Sequence, residues 1–124
     1  MRIFDKDNKV NFVDKNNVFV GYDLSQNCCE YANWFISESK ENKVHDEQYY
    51  EIKRKELNIE DYVFDTKFFE EVDSPDVEQG GMVRFRLIGN KKKLFLHLFN
   101  CHNGYYGHGF EFKINDKVIK EDYL

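Results

Sequence analysis

Along residues 82–88 apolar and charged side chains take turns: Val83, Phe85 and Leu87 fall on one side, Arg84 and Arg86 on the other. Successive side chains of a strand point to opposite faces, so this alternation predicts a strand with one apolar face. The same period recurs twice. Leu94, Leu96 and Leu98 alternate with Phe95, His97 and Phe99, and Phe110, Phe112 and Ile114 alternate with Glu111 and Lys113. Gly89-Asn90-Lys91-Lys92 reads as a turn, residues 100–104 as a loop, and Asn115-Asp116 as a turn into Val118-Ile119. The C-terminal third thus predicts an antiparallel meander of about three or four strands. Its leucine face is assigned to the core. The opposite face carries Arg84, Arg86, Phe95, His97 and Phe99, is neither plainly polar nor plainly apolar, and predicts cover by a helix or a partner.

Nearer the N-terminus, residues 10–13 and 18–22 are short runs of β-favouring residues separated by Asp14-Lys15-Asn16-Asn17, which predicts a hairpin. In residues 23–36, Cys28, Cys29, Ala32, Phe35 and Ile36 recur at helical spacing, and Ser25 or Asn27 is placed to cap a helix start. A short helix follows from that stripe, with both cysteines as small apolar residues on its buried side. Residues 37–57 are highly charged and fit strand and helix patterns equally. Residues 59–72 read as a strand, with Tyr62, Phe64, Thr66 and Phe68 on one face and Val63, Asp65 and Lys67 on the other. Asp73-Ser74-Pro75-Asp76 then reads as a turn. Together these elements predict an α+β fold: an antiparallel, meander-type sheet of about five to seven strands with one main helix packed on it.

The length of 124 residues fits a single domain spanning 1–124, and an aromatic share of 17% favours a folded core over disorder. No apolar run approaches the roughly 18 residues that span a bilayer, and the first residues lack the apolar core of a signal peptide, so a cytoplasmic protein without membrane contact is expected.

Charge adds the most informative local feature. Residues 60–78 hold eight acidic residues and one basic residue, Lys67, for a formal charge of −7; the whole chain carries −5, so the remainder carries +2. The acidity is interleaved with Tyr62, Phe64, Phe68 and Phe69. A focused negative field beside large aromatics suits capture of a basic protein. Direct nucleic-acid binding, which rests on a basic surface, is disfavoured.

Chemistry-bearing constellations are sparse. Cys28, Cys29, Cys101, His102 and His108 supply zinc-type ligands without a Cys-x-x-Cys pair or a His-x-x-x-His spacing. Cys101 and His102 are adjacent, which on a strand places them on opposite faces. Cys29 with His97 or His102 is a possible thiol–base pair if a helix packs over the sheet. Residues 104–109, Gly-Tyr-Tyr-Gly-His-Gly, lack the pattern of a phosphate-binding loop and precede a strand, so a loop or bulge with glycine conformations is expected. Glu70, Glu71 and Asp73 have no companion histidine for acid–base work. No catalytic role, cofactor or metal is therefore assigned.

Residues 23–30 and 103–112 resemble segments of small uncharacterised bacterial domains, a double cysteine before an aromatic stretch and a C-terminal Asn-Gly-Tyr-Tyr hairpin. In size, acidity and want of a catalytic motif the chain is similar to immunity proteins of bacterial contact-dependent growth inhibition and related polymorphic toxin systems. That resemblance implies a protein that binds and neutralises one cognate toxin, often a nuclease. Residue reading and resemblance together predict partner binding through Asp61, Asp65, Glu70, Glu71, Asp73, Asp76 and Glu78, with Tyr105 and Tyr106 as aromatic anchors. Two alternatives stand beside it: a phage-encoded inhibitor of a host defence nuclease, which would use the same charge pattern, and a small metal-binding protein using Cys28, Cys29, Cys101 and the histidines.

Overall fold

In the computed structural model the residues described are 1–25, 30–41, 58–72, 81–102 and 107–124, the side chains of Glu30, Tyr31 and His102 excepted. They form nine strands: β1 (Arg2–Lys6), β2 (Lys9–Val13), β3 (Val18–Asp23), β4 (Glu30–Ser37), β5 (Val63–Glu71), β6 (Gly81–Ile88), β7 (Lys93–His102), β8 (Gly109–Ile114) and β9 (Lys117–Tyr123). Every pairing is antiparallel. One sheet has five strands in the order β1-β2-β3-β8-β9, the other four in the order β4-β7-β6-β5.

The two sheets pack face to face around one core. Val10, Phe12, Val20, Phe110 and Phe112 from the first meet Trp34, Val83, Phe85, Leu96 and Leu98 from the second, all at most 5% exposed. Aromatic edges lock the layers: Phe12 meets Trp34 at 5.0 Å between ring centres, and Phe85 meets Phe112 at 5.4 Å. Such pairs add directional contact to the burial of large apolar area.

The α+β expectation is overturned: the described residues contain no helix, and the fold is an all-β sandwich. The part of the expected helix that is described, from residue 30 on, is strand β4, paired with β7 from Glu30 opposite His102 to Ser37 opposite Phe95. Ala32, Trp34 and Ile36 face the sandwich core, while Phe35 faces outward onto Phe99 and Met82 and is also buried, at 1% exposure. A strand apolar on both faces loses its period-two signature, and its run of apolar residues then matches a helical stripe by chance. Cys28 and Cys29 lie outside the described residues.

The meander is also corrected. β6 and β7 form a hairpin in the four-stranded sheet, but β8 leaves it and pairs with β3 in the other, Val20 lying opposite Phe112. The strand expected over 59–72 is present as β5, yet its alternation breaks. Phe64 lies opposite Leu87 and Phe69 opposite Phe85, so residues 65–68 bulge past Arg86 alone. The bulge shifts parity, putting Phe64 and Phe69 on the core side and Phe68 on the outside against Phe95 and Arg86. The hairpin over 10–22 is present as β2–β3.

Turn chemistry explains the tight connections. Asp7 and Asn8 (φ 55° and 61°) join β1 to β2, and Asn115 and Asp116 (φ 51° and 67°) join β8 to β9. Two successive positive φ values define the hairpin turn that matches strand twist, and Asn and Asp tolerate that region best.

Asp14 ties the layers together at one end. Its Oδ1 accepts the Asn16 and Val18 amides at 2.9 and 3.0 Å, and its Oδ2 accepts the Phe64 amide of β5 at 2.8 Å. The residue is 6% exposed. Asp14→Ala leaves three amides without their charged acceptor, and urea unfolding is expected to show a loss of about 2–3 kcal/mol. A change within a few tenths would mean that water replaces the carboxylate.

Candidate functional site

Among the described strands β5 lies at the edge of the four-stranded sheet, and it carries Asp65, Glu70 and Glu71. Asp61 sits in the exposed turn before it. Asp65, in the bulge, receives two hydrogen bonds from Arg86, from Nε at 2.9 Å and Nη2 at 2.5 Å. The Arg86 guanidinium, with the Lys67 amide behind it at 3.0 Å, holds the Asp65 carboxyl below the usual carboxylate range against the opposing effect of burial. Glu70 lies directly across from Arg84 in the ladder. It accepts from Arg84 Nη1 at 2.5 Å and from Lys40 Nζ at 3.1 Å. Glu71, one residue on, points to the other side of the strand; its side chain is 63% exposed and 3.8 Å from Lys120 of β9.

The described acidic residues therefore divide into two groups. Asp65 and Glu70 share the outer side of β5 and are committed to arginines. Asp61 and Glu71 remain solvent-facing. Asp73, Asp76, Glu78, Tyr105 and Tyr106 lie outside the described residues.

Behind Glu70 stands a buried polar network that the sequence reading did not assemble. The Arg84 side chain is 2% exposed. Its Nε donates to His97 Nε2 at 3.1 Å and its Nη2 to the Glu41 carbonyl at 2.6 Å. The Glu41 amide donates to the same His97 nitrogen at 3.2 Å. Phe35 stacks flat on the imidazole, 4.2 Å between ring centres and 4° from parallel. One arginine thus joins β5, β6, β7 and the segment following β4. The Arg/Phe/His face of β6 and β7 is in fact buried at its centre: Arg84, His97 and Phe99 are at most 2% exposed, while Arg86 and Phe95 are half-buried. A signal for this was present in the opposite charges of Glu70 and Arg84, but it needs the β5–β6 register to be read.

His97 is fully buried. Burial, followed by the Arg84 charge, pushes its pKa down to about 3. A neutral imidazole whose Nε2 already accepts two N–H groups is not placed to act as a base. Cys29, the thiol expected to pair with His97 or His102, lies outside the described residues. Cys101 is half-buried and packs near Phe99 and Met82 on the outer face. His108 packs instead beside Tyr22, its Nδ1 2.8 Å from the Asp23 carbonyl oxygen. Among the described residues no three His, Cys, Asp or Glu side chains are grouped to hold a metal ion. No helix among them is long and apolar enough to cross a membrane.

No protein-family model, curated protein or solved structure matches this chain.

Proposed function

We propose that the protein is a cytoplasmic immunity protein or inhibitor that binds a basic protein toxin, with a nuclease as the best-fitting class, through the acidic surface at β5. The observation that carries this reading is the division of labour among the carboxylates. Arg84 and Arg86 hold Glu70 and Asp65 in place and fix the bulged edge strand, while Asp61 and Glu71 stay in solvent at its two ends. A rigid acidic edge loses little conformational freedom on binding, and its field speeds encounter with a cationic surface. A nuclease fits because an enzyme that binds a polyanion presents such a surface.

The structure also selects the variants. Charge reversal at Glu70 would break the Arg84 pair and confound binding with folding. Asp61→Lys with Glu71→Lys changes only exposed groups. The double variant is expected to keep wild-type thermal stability within about 0.5 kcal/mol. Its association with the basic protein captured from lysate of the native host should slow by about tenfold or more, with a flatter dependence on ionic strength. Wild-type association at low salt would remove the acidic edge from the interface. Failure of the wild-type protein to retain any basic partner would remove the proposal itself.

A further inference from the structure

A second surface draws attention for the opposite reason. Four large hydrophobic residues among those described are exposed, and three of them, Val118, Ile119 and Tyr123, sit on β9 at 44, 50 and 71%. β9 is also the outermost described strand of the five-stranded sheet, with one edge against β8 and no described strand on the other. Unpaired edges are normally short, charged or covered. β9 is seven residues long and has a bulge at Ile119, between the Phe112–Lys120 and Lys113–Val118 pairs.

The hydrogen bonding shows which groups that edge offers. Leu124 exchanges both backbone bonds with His108, donating at 2.9 Å and accepting at 3.0 Å. Bonded and non-bonded pairs alternate along an antiparallel ladder, so Asp122 and Lys120 also bond toward β8. The N–H and C=O groups of Glu121 and Tyr123 then point outward. Among the described residues the Tyr123 amide meets its neighbour's carboxylate, Asp122 Oδ1 at 2.9 Å, a local bond that edge pairing would exchange.

We infer that this edge pairs antiparallel with the same edge of a second copy of the chain, about a two-fold axis at Glu121, joining two five-stranded sheets into one. The charge order along β9 argues for a second copy as the occupant. In that register Lys120 of each copy faces Asp122 of the other on one side of the sheet, and Ile119 faces Tyr123, so the strand complements itself. One like-charged pair, Glu121 with Glu121, lies at the axis on the solvent side. Among the described residues nothing pairs with this edge. Rings of β8 meet those of β5 and β6 edge-on, so β9 lies outboard of the four-stranded sheet, with Lys120 reaching down to Glu71 and Phe69.

Substitutions at position 121 separate backbone pairing from side-chain effects. Proline at Glu121 removes an N–H that β8 does not use, so the monomer keeps its ladder while the open edge loses its central donor. Glutamine keeps the N–H and removes the like-charge contact at the axis. Sedimentation of the purified chain from low micromolar to millimolar concentration should show the 15.0 kDa species passing reversibly to twice that mass. Glu121→Pro should stay monomeric throughout, with an unchanged circular-dichroism spectrum. Glu121→Gln should dimerise about two- to five-fold more tightly, and Asp122→Lys about tenfold less tightly. The inference is overturned if wild type and Glu121→Gln both remain monomeric, or if Glu121→Pro dimerises as wild type does. If the chain is monomeric yet Glu121→Pro loses the basic partner of the proposed function, the edge serves a strand of that partner instead. The sedimentation experiment contains no partner, so its failure leaves the proposed function standing.

Discussion

Arg84→Met should cost the fold about 3–5 kcal/mol, the largest loss expected from any single polar residue of this protein. The arginine is buried and makes three divergent hydrogen bonds, to His97, Glu70 and the Glu41 carbonyl. Methionine fills much of the volume, so the loss comes less from a cavity than from the groups left behind. His97 Nε2 keeps only the Glu41 amide, and the Glu70 carboxylate loses its buried counter-ion. Arg84→Lys should recover only a minor part of the loss, because an ammonium cannot reproduce a planar fork reaching three acceptors in different directions. Glu70→Gln should be milder, since the Glu70 side chain is 35% exposed and water offsets part of the change. Urea unfolding of the three variants orders them. If Arg84→Lys proved neutral, charge alone and not fork geometry would account for the residue. If Arg84→Met proved neutral, the network would add nothing to stability over apolar packing.

The second large effect is a loss of stability on mild acidification that originates at His97. In the folded protein this histidine stays neutral down to about pH 3, against an ordinary value of 6.5. Its contribution is fully present above pH 6.5. Below that the unfolded chain binds a proton at this ring that the folded chain excludes, so stability falls with pH by about 1.4 kcal/mol per unit until the folded pKa is reached. The neighbourhood leaves no easy route to protonation: Arg84 from β6 donates to the ring nitrogen, the Glu41 amide donates to it from the other side, and Phe35 covers one face. Asp65 acts in the same sense over a lower window, its stabilisation being lost below its ordinary value of 3.8. His97→Gln keeps an acceptor for Arg84 and removes the titration. The variant should be less stable than wild type at neutral pH by about 1–2 kcal/mol, and the gap should close or invert by about pH 4. Urea midpoints for both proteins across that range decide it. Parallel pH profiles would show that His97 takes up its proton without unfolding.

These effects sit where the sequence was hardest to read. The mixed face of β6 and β7 was visible as Arg84, Arg86, Phe95, His97 and Phe99 alternating with core residues, but alternation does not say what an outward face meets. The bulge at residues 65–68 places Glu70 opposite Arg84 and leaves Asp65 to Arg86. No local pattern in β5 announces the three extra residues. The acidic run therefore looked like one continuous field, whereas the fold spends two of its carboxylates on internal arginines and turns Glu71 to the other side of the strand.

What the sequence determined by itself was local. Period-two alternation marked β6, β7 and β8, because each has a core face that differs in residue type from its other face, and the leucines of β7 do enter the core. Asn115-Asp116 marked a turn, since few other residues accept successive positive φ values. The concentration of negative charge over residues 60–78 is a property of composition alone. What only the tertiary structure decided was partnership. β4 reads as a helix until Trp34 and Phe35 are seen buried on opposite faces. β8 joins β3 rather than β7, and Asp14 reaches Phe64 across fifty positions. Pairing of this kind is settled by which apolar faces can close over one another. That is a sum over distant residues, and no window of neighbours contains it.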